Sequence, residues 1–131
     1  MKSTNPAGWR RPHGYSNGMS AAGRLVFVAG QIGWNPLTQR VETQDFAAQT
    51  RLALDNIVAV LASAGAQPEH VTRLTWFITD KTKYLDSLTP IGQAYREVFG
   101  KHYPAMAVVV VAGLLEEGAM VEIEATAVVP E

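Results

Sequence analysis

The sequence has no cysteine and only three histidines among its 131 residues. Without thiols the chain forms no disulfide, offers no thiolate nucleophile and has no cysteine ligand for a metal. The histidines are scattered and no pair of them has the spacing of a metal site, so we predict no metal. The glycines also lack the spacing, and the following Lys-Ser/Thr pair, of a phosphate-binding loop.

Long apolar runs and a surplus of charge are absent as well. No run approaches the length that spans a membrane, and residues 1–12 are polar and rich in glycine and proline, unlike a signal peptide. We therefore expect a cytoplasmic protein with no membrane partner. The formal net charge is −1, which gives no electrostatic reason to expect nucleic acid as a partner.

The composition that remains is typical of one globular domain. The hydrophobic fraction is 47% and the charged fraction is 18%, an ordinary balance for a folded chain. We assign residues 1–131 to a single domain, in which residues 1–13 form a loose N-terminal arm. Trp9 is the largest side chain of this arm, so we expect it to anchor the arm against the body of the protein.

Two short apolar runs near the C-terminus predict two strands. The first, Tyr103–Val111, is apolar at nearly every position from Ala105 onward, as in a strand covered on both faces. In the second, Met120–Val129, valine, isoleucine and alanine alternate with Glu122 and Glu124, as in a strand with one buried face. Glycines lie in the connection between the runs, which predicts a hairpin.

Apolar periodicity and turn residues predict the other elements. They are a strand over Arg24–Gly30 followed by a loop, a helix over Thr43–Ala64, a strand over Val71–Thr79, a helical turn over Lys81–Asp86 and a helix over Pro90–Phe99. Thr43 is the expected N-cap of the first long helix and Gly65 its expected end. Two helices cover only one face of such a sheet, so the bare face predicts self-association.

Four segments, taken together and in this order, resemble the Rid family of YjgF-like proteins, which are also labelled endoribonuclease L-PSP or translation inhibitor. The segments are Leu25–Ile32, Gln49–Ile57, Leu74–Asp80 and Val121–Ala125. The resemblance implies an α+β, chorismate-mutase-like fold with a mixed sheet of about six strands and two helices packed on one face. It also implies a homotrimer with clefts between its subunits.

The best known activity of this family is the hydrolysis of reactive enamines and imines to a keto acid and ammonia. The reactants are unstable, so positioning and proton transfer suffice, and the resemblance implies no cofactor. By position, Glu122 matches the carboxylate that positions the attacking water. Tyr15 matches the family's site tyrosine, and Gly30, Gln31 and Ile32 match the turn that orients the substrate.

The residues alone leave a plainer interpretation open at each of these positions. A carboxylate such as Glu122 on the polar side of a strand commonly faces solvent, as Glu124 would. Tyr15 is either a packed aromatic ring or a site hydroxyl. Gly30 is either part of a tight turn or a point where the backbone approaches a ligand closely.

The chain departs from the family pattern where a substrate carboxylate would bind. Met106 stands in place of the family's arginine, which makes that end of the cleft apolar, and Gly92 stands in place of an asparagine. His13 is our first candidate to replace the arginine, and His102 is a second substrate-binding candidate. Arg96 follows an inward-facing tyrosine, so we expect it on the outer face of its helix.

Three functions from different classes fit these features. The first is a hydrolase that acts on an imine, an enamine or a related small molecule lacking the usual carboxylate. The second is a non-catalytic small-ligand binder or accessory protein that keeps the trimeric cleft. The third is RNA cleavage, as the older family label indicates, and it has the least support because the chain has no basic stripe with interleaved aromatics.

Overall fold

Six strands and three α-helices form an α+β fold, as the sequence predicts. The structure is a computed structural model that describes residues 1–131. The strands are β1 (Lys2–Thr4), β2 (Gly18–Ser20), β3 (Arg24–Ile32), β4 (Val71–Ile78), β5 (Ala105–Val110) and β6 (Val121–Val129). The helices are α1 (Phe46–Ser63), α2 (Lys81–Asp86) and α3 (Leu88–Phe99), and a 3₁₀ turn over Pro68–His70 precedes β4.

Four of the strands form one mixed sheet in the order β3-β6-β4-β5. β6 is antiparallel to β3 and to β4, whereas β5 lies parallel to β4 at the edge. The predicted hairpin between the last two strands is therefore wrong, because β4 lies between them. The crossover through α2 and α3 places β5 beside β4 in parallel, which leaves the other side of β4 free for β6.

The core lies between this sheet and the helices. The alternation of β6 correctly predicts its buried face, on which Val121 and Ile123 are fully buried. Leu54, Ile57 and Leu61 of α1 are also fully buried and belong to the same apolar cluster. Because α1 and α3 also pack on each other, the two helices form a single layer over one face of the sheet.

The ends of the helices differ in detail from the prediction. Asp45, rather than Thr43, caps α1, since its carboxylate accepts a hydrogen bond of 2.9 Å from the Ala48 N–H. The end at Gly65 is confirmed: its φ of 71° lets the N–H groups of residues 65 and 66 bond back to the last turn. α3 begins at Leu88, two residues earlier than predicted.

The N-terminal arm is more ordered than expected, because residues 2–4 form β1 and pair antiparallel with β2. Ser16 joins this two-stranded ribbon to the edge of the main sheet. Its hydroxyl donates to the Tyr103 carbonyl at 2.6 Å, and its N–H donates to the Pro104 carbonyl at 3.0 Å. Trp9 is 65% exposed, so the prediction that it anchors the arm is wrong for the single chain.

The sheet face opposite the helices is bare, as the number of helices predicts. Leu25 and Phe27 of β3 are 57% and 71% exposed, and Val109 of β5 is 41% exposed. β5 is thus a half-exposed edge strand, and its predicted cover on both faces is not found within one chain. None of the three helices combines the length and the apolar character that a membrane crossing needs.

Candidate functional site

A cavity of about 570 Å³ lies between α3, the segment before β2 and the helix-facing side of β4 and β5. Its wall is mainly aromatic and aliphatic, and it includes Trp76, Tyr84, Leu88, Ile91, Tyr95 and Met106. No acidic side chain lines it. The volume is typical of a site for a small organic ligand.

Tyr95 connects the wall of this cavity to the loop before β5. Its ring stacks on Tyr103 with centroids 5.5 Å apart, and its hydroxyl donates to the His102 carbonyl at 2.6 Å. Burial, and then the nearby Tyr103, raises the pKa of Tyr95 far above the ordinary value, and burial also raises the pKa of Tyr84. Both phenols therefore stay protonated around neutral pH, and neither serves as a base there.

The cavity brings together three predicted site residues that are distant in the sequence: His13, Tyr15 and Met106. Met106 lies opposite the buried Leu74 of β4 in the register of the sheet, so its side chain forms part of the apolar wall. Tyr15 is 41% exposed. Its ring borders the cavity instead of filling the core, which leaves it available to a ligand.

The predicted carboxylate and its turn form a second cluster on the other face of the sheet. Glu122 pairs in register with Phe77, one residue out of phase with the cavity-lining Trp76. Because successive strand residues point to opposite faces, Glu122 lies on the bare face while the cavity lies on the helix side. We call Gly30, Gln31, Ile32 and Glu122 the carboxylate cluster.

Gly30 allows the carboxylate of Glu122 to pack against the backbone of β3. A Cβ added at Gly30 would lie 2.7 Å from the carboxyl carbon and from Oε2 of Glu122, closer than real Cβ contacts permit. The strand also carries an extra residue here, because the register with β6 shifts between Val28 and Gln31, which marks a β-bulge. The carboxylate cluster thus contains a glycine, Gly30, and a β-bulge, and both features expose backbone groups.

The other two residues of the turn are oriented differently. Gln31 donates to the Ala29 carbonyl at 3.1 Å, which holds its side chain along the strand. Ile32 is buried, so it can offer a ligand only backbone groups.

Two residues that the sequence analysis does not single out hold the end of β3 in place. Asn56 of α1 donates from Nδ2 to the carbonyls of Ile32 and Trp34, at 3.3 and 3.1 Å. Gly33 lies against the backbone of Gln49, where a Cβ would come within 2.4 Å of the carbonyl oxygen. The sequence features that could have indicated these two residues are a polar side chain within α1, for Asn56, and a glycine just after a strand, for Gly33.

His102 lies outside the cavity. Its Nε2 is 2.6 Å from the Val71 carbonyl oxygen, so its ring ties the loop before β5 to the start of β4. We therefore leave His102 out of the site proposed below.

Arg96 reaches the cavity, contrary to the expectation from its position on the helix. It is exposed to solvent, as expected, but it also lines the cavity wall. Its Nη1 lies 3.3 Å from the position that a Cβ on Gly92 would take. The long side chain therefore folds back along α3 over the preceding turn, as helical side chains tend to do.

Comparison with known proteins identifies the family. The model described as Endoribonuclease L-PSP matches residues 9–129. YyfB of Yersinia pestis, a protein of the Rid family, superposes with a TM-score of 0.85 at 32% identity, covering 98% of both chains. The chain belongs to the Rid family.

Two further relatives extend the comparison. Protein DfrA of Myxococcus xanthus is 37% identical over 107 residues, which are 82% of this chain and 78% of that protein. The 2-iminobutanoate/2-iminopropanoate deaminase of Escherichia coli strain K12 is 35% identical over 109 residues, which are 81% of this chain and 80% of that protein. In the present Rid chain, the cavity and the carboxylate cluster lie on opposite faces of the sheet.

Proposed function

We propose that this protein is a Rid-type hydrolase that deaminates a reactive enamine or imine in clefts between the subunits of a homotrimer. The observation that carries the proposal is the position of Glu122 on the sheet face opposite the cavity. One chain cannot bring the cavity and the carboxylate cluster together, so a complete site needs two copies. The deaminase name of the Escherichia coli relative supports the class of reaction.

The edges of the sheet support an assembly of this kind. β3 and β5 are its two edge strands, with the Gly30 turn on β3 and Met106 on β5. A closed ring in which the β3 edge of one copy meets the β5 edge of the next would place each carboxylate cluster beside a neighbour's cavity. The exposed Leu25 and Phe27 would be buried in the same contact, which supplies an apolar driving force.

The reaction needs only water and proton transfer. Glu122 accepts a proton from the bound water as the water oxygen bonds to the carbon of the C=N group. The proton then passes to the nitrogen, which gives an amino alcohol. Glu122 next transfers the hydroxyl proton of this intermediate to the nitrogen, the C–N bond breaks, and a ketone and ammonia are released. Gly30 fixes the carboxylate by close packing, and Tyr15 borders the space in which the substrate would lie.

Glu122→Gln tests this role, with Glu124→Gln as the matched control on the same strand and face. The assay measures ammonia release from imines generated in place, both with and without a carboxylate. We expect kcat/KM to fall about 10²–10⁴-fold in Glu122→Gln, the usual contribution of a general base, and to change little in Glu124→Gln. Light scattering should give the mass of a trimer for both variants.

Ligand-binding and RNA-binding measurements beside this assay distinguish the two other functions. If the wild type forms the trimer and binds small ligands but turns over no imine, the protein is a non-catalytic binder, a function that the apolar wall at Met106 favours. RNA binding that weakens steeply with salt would instead support the endoribonuclease label. Equal activity in wild type and Glu122→Gln would overturn the proposed mechanism.

A further inference from the structure

Arg96 is a cation without a partner beside an apolar cavity. Two other arginines use their side chains within the chain: Arg51 pairs with Asp55 and Glu97, and Arg24 donates to the Ala64 carbonyl. Arg96 makes no side-chain hydrogen bond or salt bridge. Since the cavity also lacks an acidic residue, nothing within the chain neutralises this guanidinium group.

Gly92 leaves space beside α3 for the guanidinium of Arg96. The separation between Nη1 of Arg96 and the position of a Cβ on Gly92 is 3.3 Å, so an added Cβ would move the guanidinium by a few tenths of an ångström. A side chain longer than alanine at position 92 would compete with the guanidinium of Arg96 for this space. The glycine costs helix stability relative to most residues, and the space it leaves is what Arg96 occupies.

A second polar group of the wall also lacks a partner. Trp76 is 2% exposed and lines the cavity, and its indole Nε1 is buried without a hydrogen-bond acceptor. An unsatisfied buried donor is unfavourable in the free protein.

We propose that Arg96 binds the carboxylate of the ligand in this cavity, while Met106 and the aromatic wall contact a bulky apolar side chain of the same ligand. This inference rests on the proposed function and specifies its substrate class: imines of 2-oxo acids with large aliphatic or aromatic side chains. A planar guanidinium matches a carboxylate through two parallel hydrogen bonds. Met106 cannot bind an anion, so the anionic end of the ligand lies toward α3.

His13 is the other basic side chain of the cavity wall. A guanidinium stays charged throughout the neutral range. Anion binding through Arg96 is therefore constant between pH 6 and pH 8, and binding that fades over this interval would point to another group.

The test measures the affinity of the purified protein for phenylpyruvate, a stable product analogue, by titration calorimetry at pH 6 and pH 8. We expect saturable binding that is stronger than that of pyruvate and of phenylpyruvate amide. Arg96→Gln should weaken it about 10–100-fold, the usual value of a hydrogen-bonded charge. Gly92→Asn, which keeps the arginine but fills its place, should weaken it in the same direction.

Arg51→Gln is the matched control, because it removes a positive charge next to α3 without touching the cavity, and it should bind phenylpyruvate as the wild type does. The inference is overturned if the wild type does not bind phenylpyruvate, if Arg96→Gln binds it equally well, or if binding fades between pH 6 and pH 8. Arg96-dependent binding without imine turnover would contradict the proposed function but not this inference. Imine turnover that does not change in Arg96→Gln would contradict this inference but not the proposed function.

Discussion

Among single residues, Tyr95 contributes to both the cavity wall and the stability of the fold. Its hydroxyl bond to the His102 carbonyl is lost in Tyr95→Phe, while the ring and its stacking on Tyr103 remain. We expect the free energy of unfolding at neutral pH to fall by roughly 1 kcal/mol, the typical net value of one hydrogen bond. Urea unfolding at pH 7 measures this change.

The raised pKa of Tyr95 adds a dependence on pH. The folded state keeps the proton of this phenol at pH values where an unfolded tyrosine loses it. Its contribution to stability is therefore complete below about pH 10, the ordinary tyrosine pKa, and is lost as the pH rises above it. The difference between wild type and Tyr95→Phe should shrink above pH 10, and a constant difference would contradict this account.

Residues of the site could be predicted from the sequence only in part. The family resemblance led to Glu122 and Tyr15, and the structure places each on a surface that a ligand can reach. The position of Arg96 could not be predicted in this way. Helical periodicity gives the direction of its Cβ, which is outward, but not the path of a long side chain that folds over a glycine one turn earlier.

At the scale of elements, the observed N-cap of α1, Asp45, differs from Thr43, the N-cap that the sequence predicts. Asp45→Ala removes the carboxylate that binds the Ala48 N–H and should lower the free energy of unfolding by about 1 kcal/mol. Thr43→Ala, at the cap predicted from the sequence, loses only an exposed bond to the Asp45 N–H and should cost less. Thermal or urea unfolding of both variants gives the comparison, and a larger effect at Thr43 would contradict the observed cap.

The elements themselves were predictable where local patterns decide them. α2 was predicted with its observed bounds, and the long helices and the four strands of the main sheet were predicted to within a few residues, because periodicity and turn residues act locally. β1, in the arm that was expected to be loose, was not predicted. The partner of each strand was not predictable in the same way. β5 and β6 are neighbours in the sequence, yet the parallel crossover to β4 separates them, and that choice depends on the whole sheet.

At the scale of the whole molecule, the bare face of the sheet is the feature to test. Phe27→Glu places a charge on a side chain that is 71% exposed in the single chain, so it should scarcely affect the folding of a monomer. In the proposed trimer the same charge would be buried without a partner, which is strongly unfavourable. Light scattering should show a shift from trimer to monomer, together with loss of activity.

Val60→Glu on α1 is the control for this substitution, since Val60 is also exposed but lies on the helix layer. It should keep the mass of the wild type. A Phe27→Glu protein that keeps the wild-type mass would show that the bare face does not hold the assembly together.

The separation of Glu122 from the cavity by the sheet has a genetic consequence in the proposed assembly. A subunit with a defective carboxylate would impair its neighbour's cleft, while its own cavity would remain intact. Two alleles, one damaged at Glu122 and one damaged at Arg96, would therefore complement each other when expressed in the same cell. With random mixing, about a quarter of the clefts would combine two undamaged halves. Neither allele alone would leave any complete cleft.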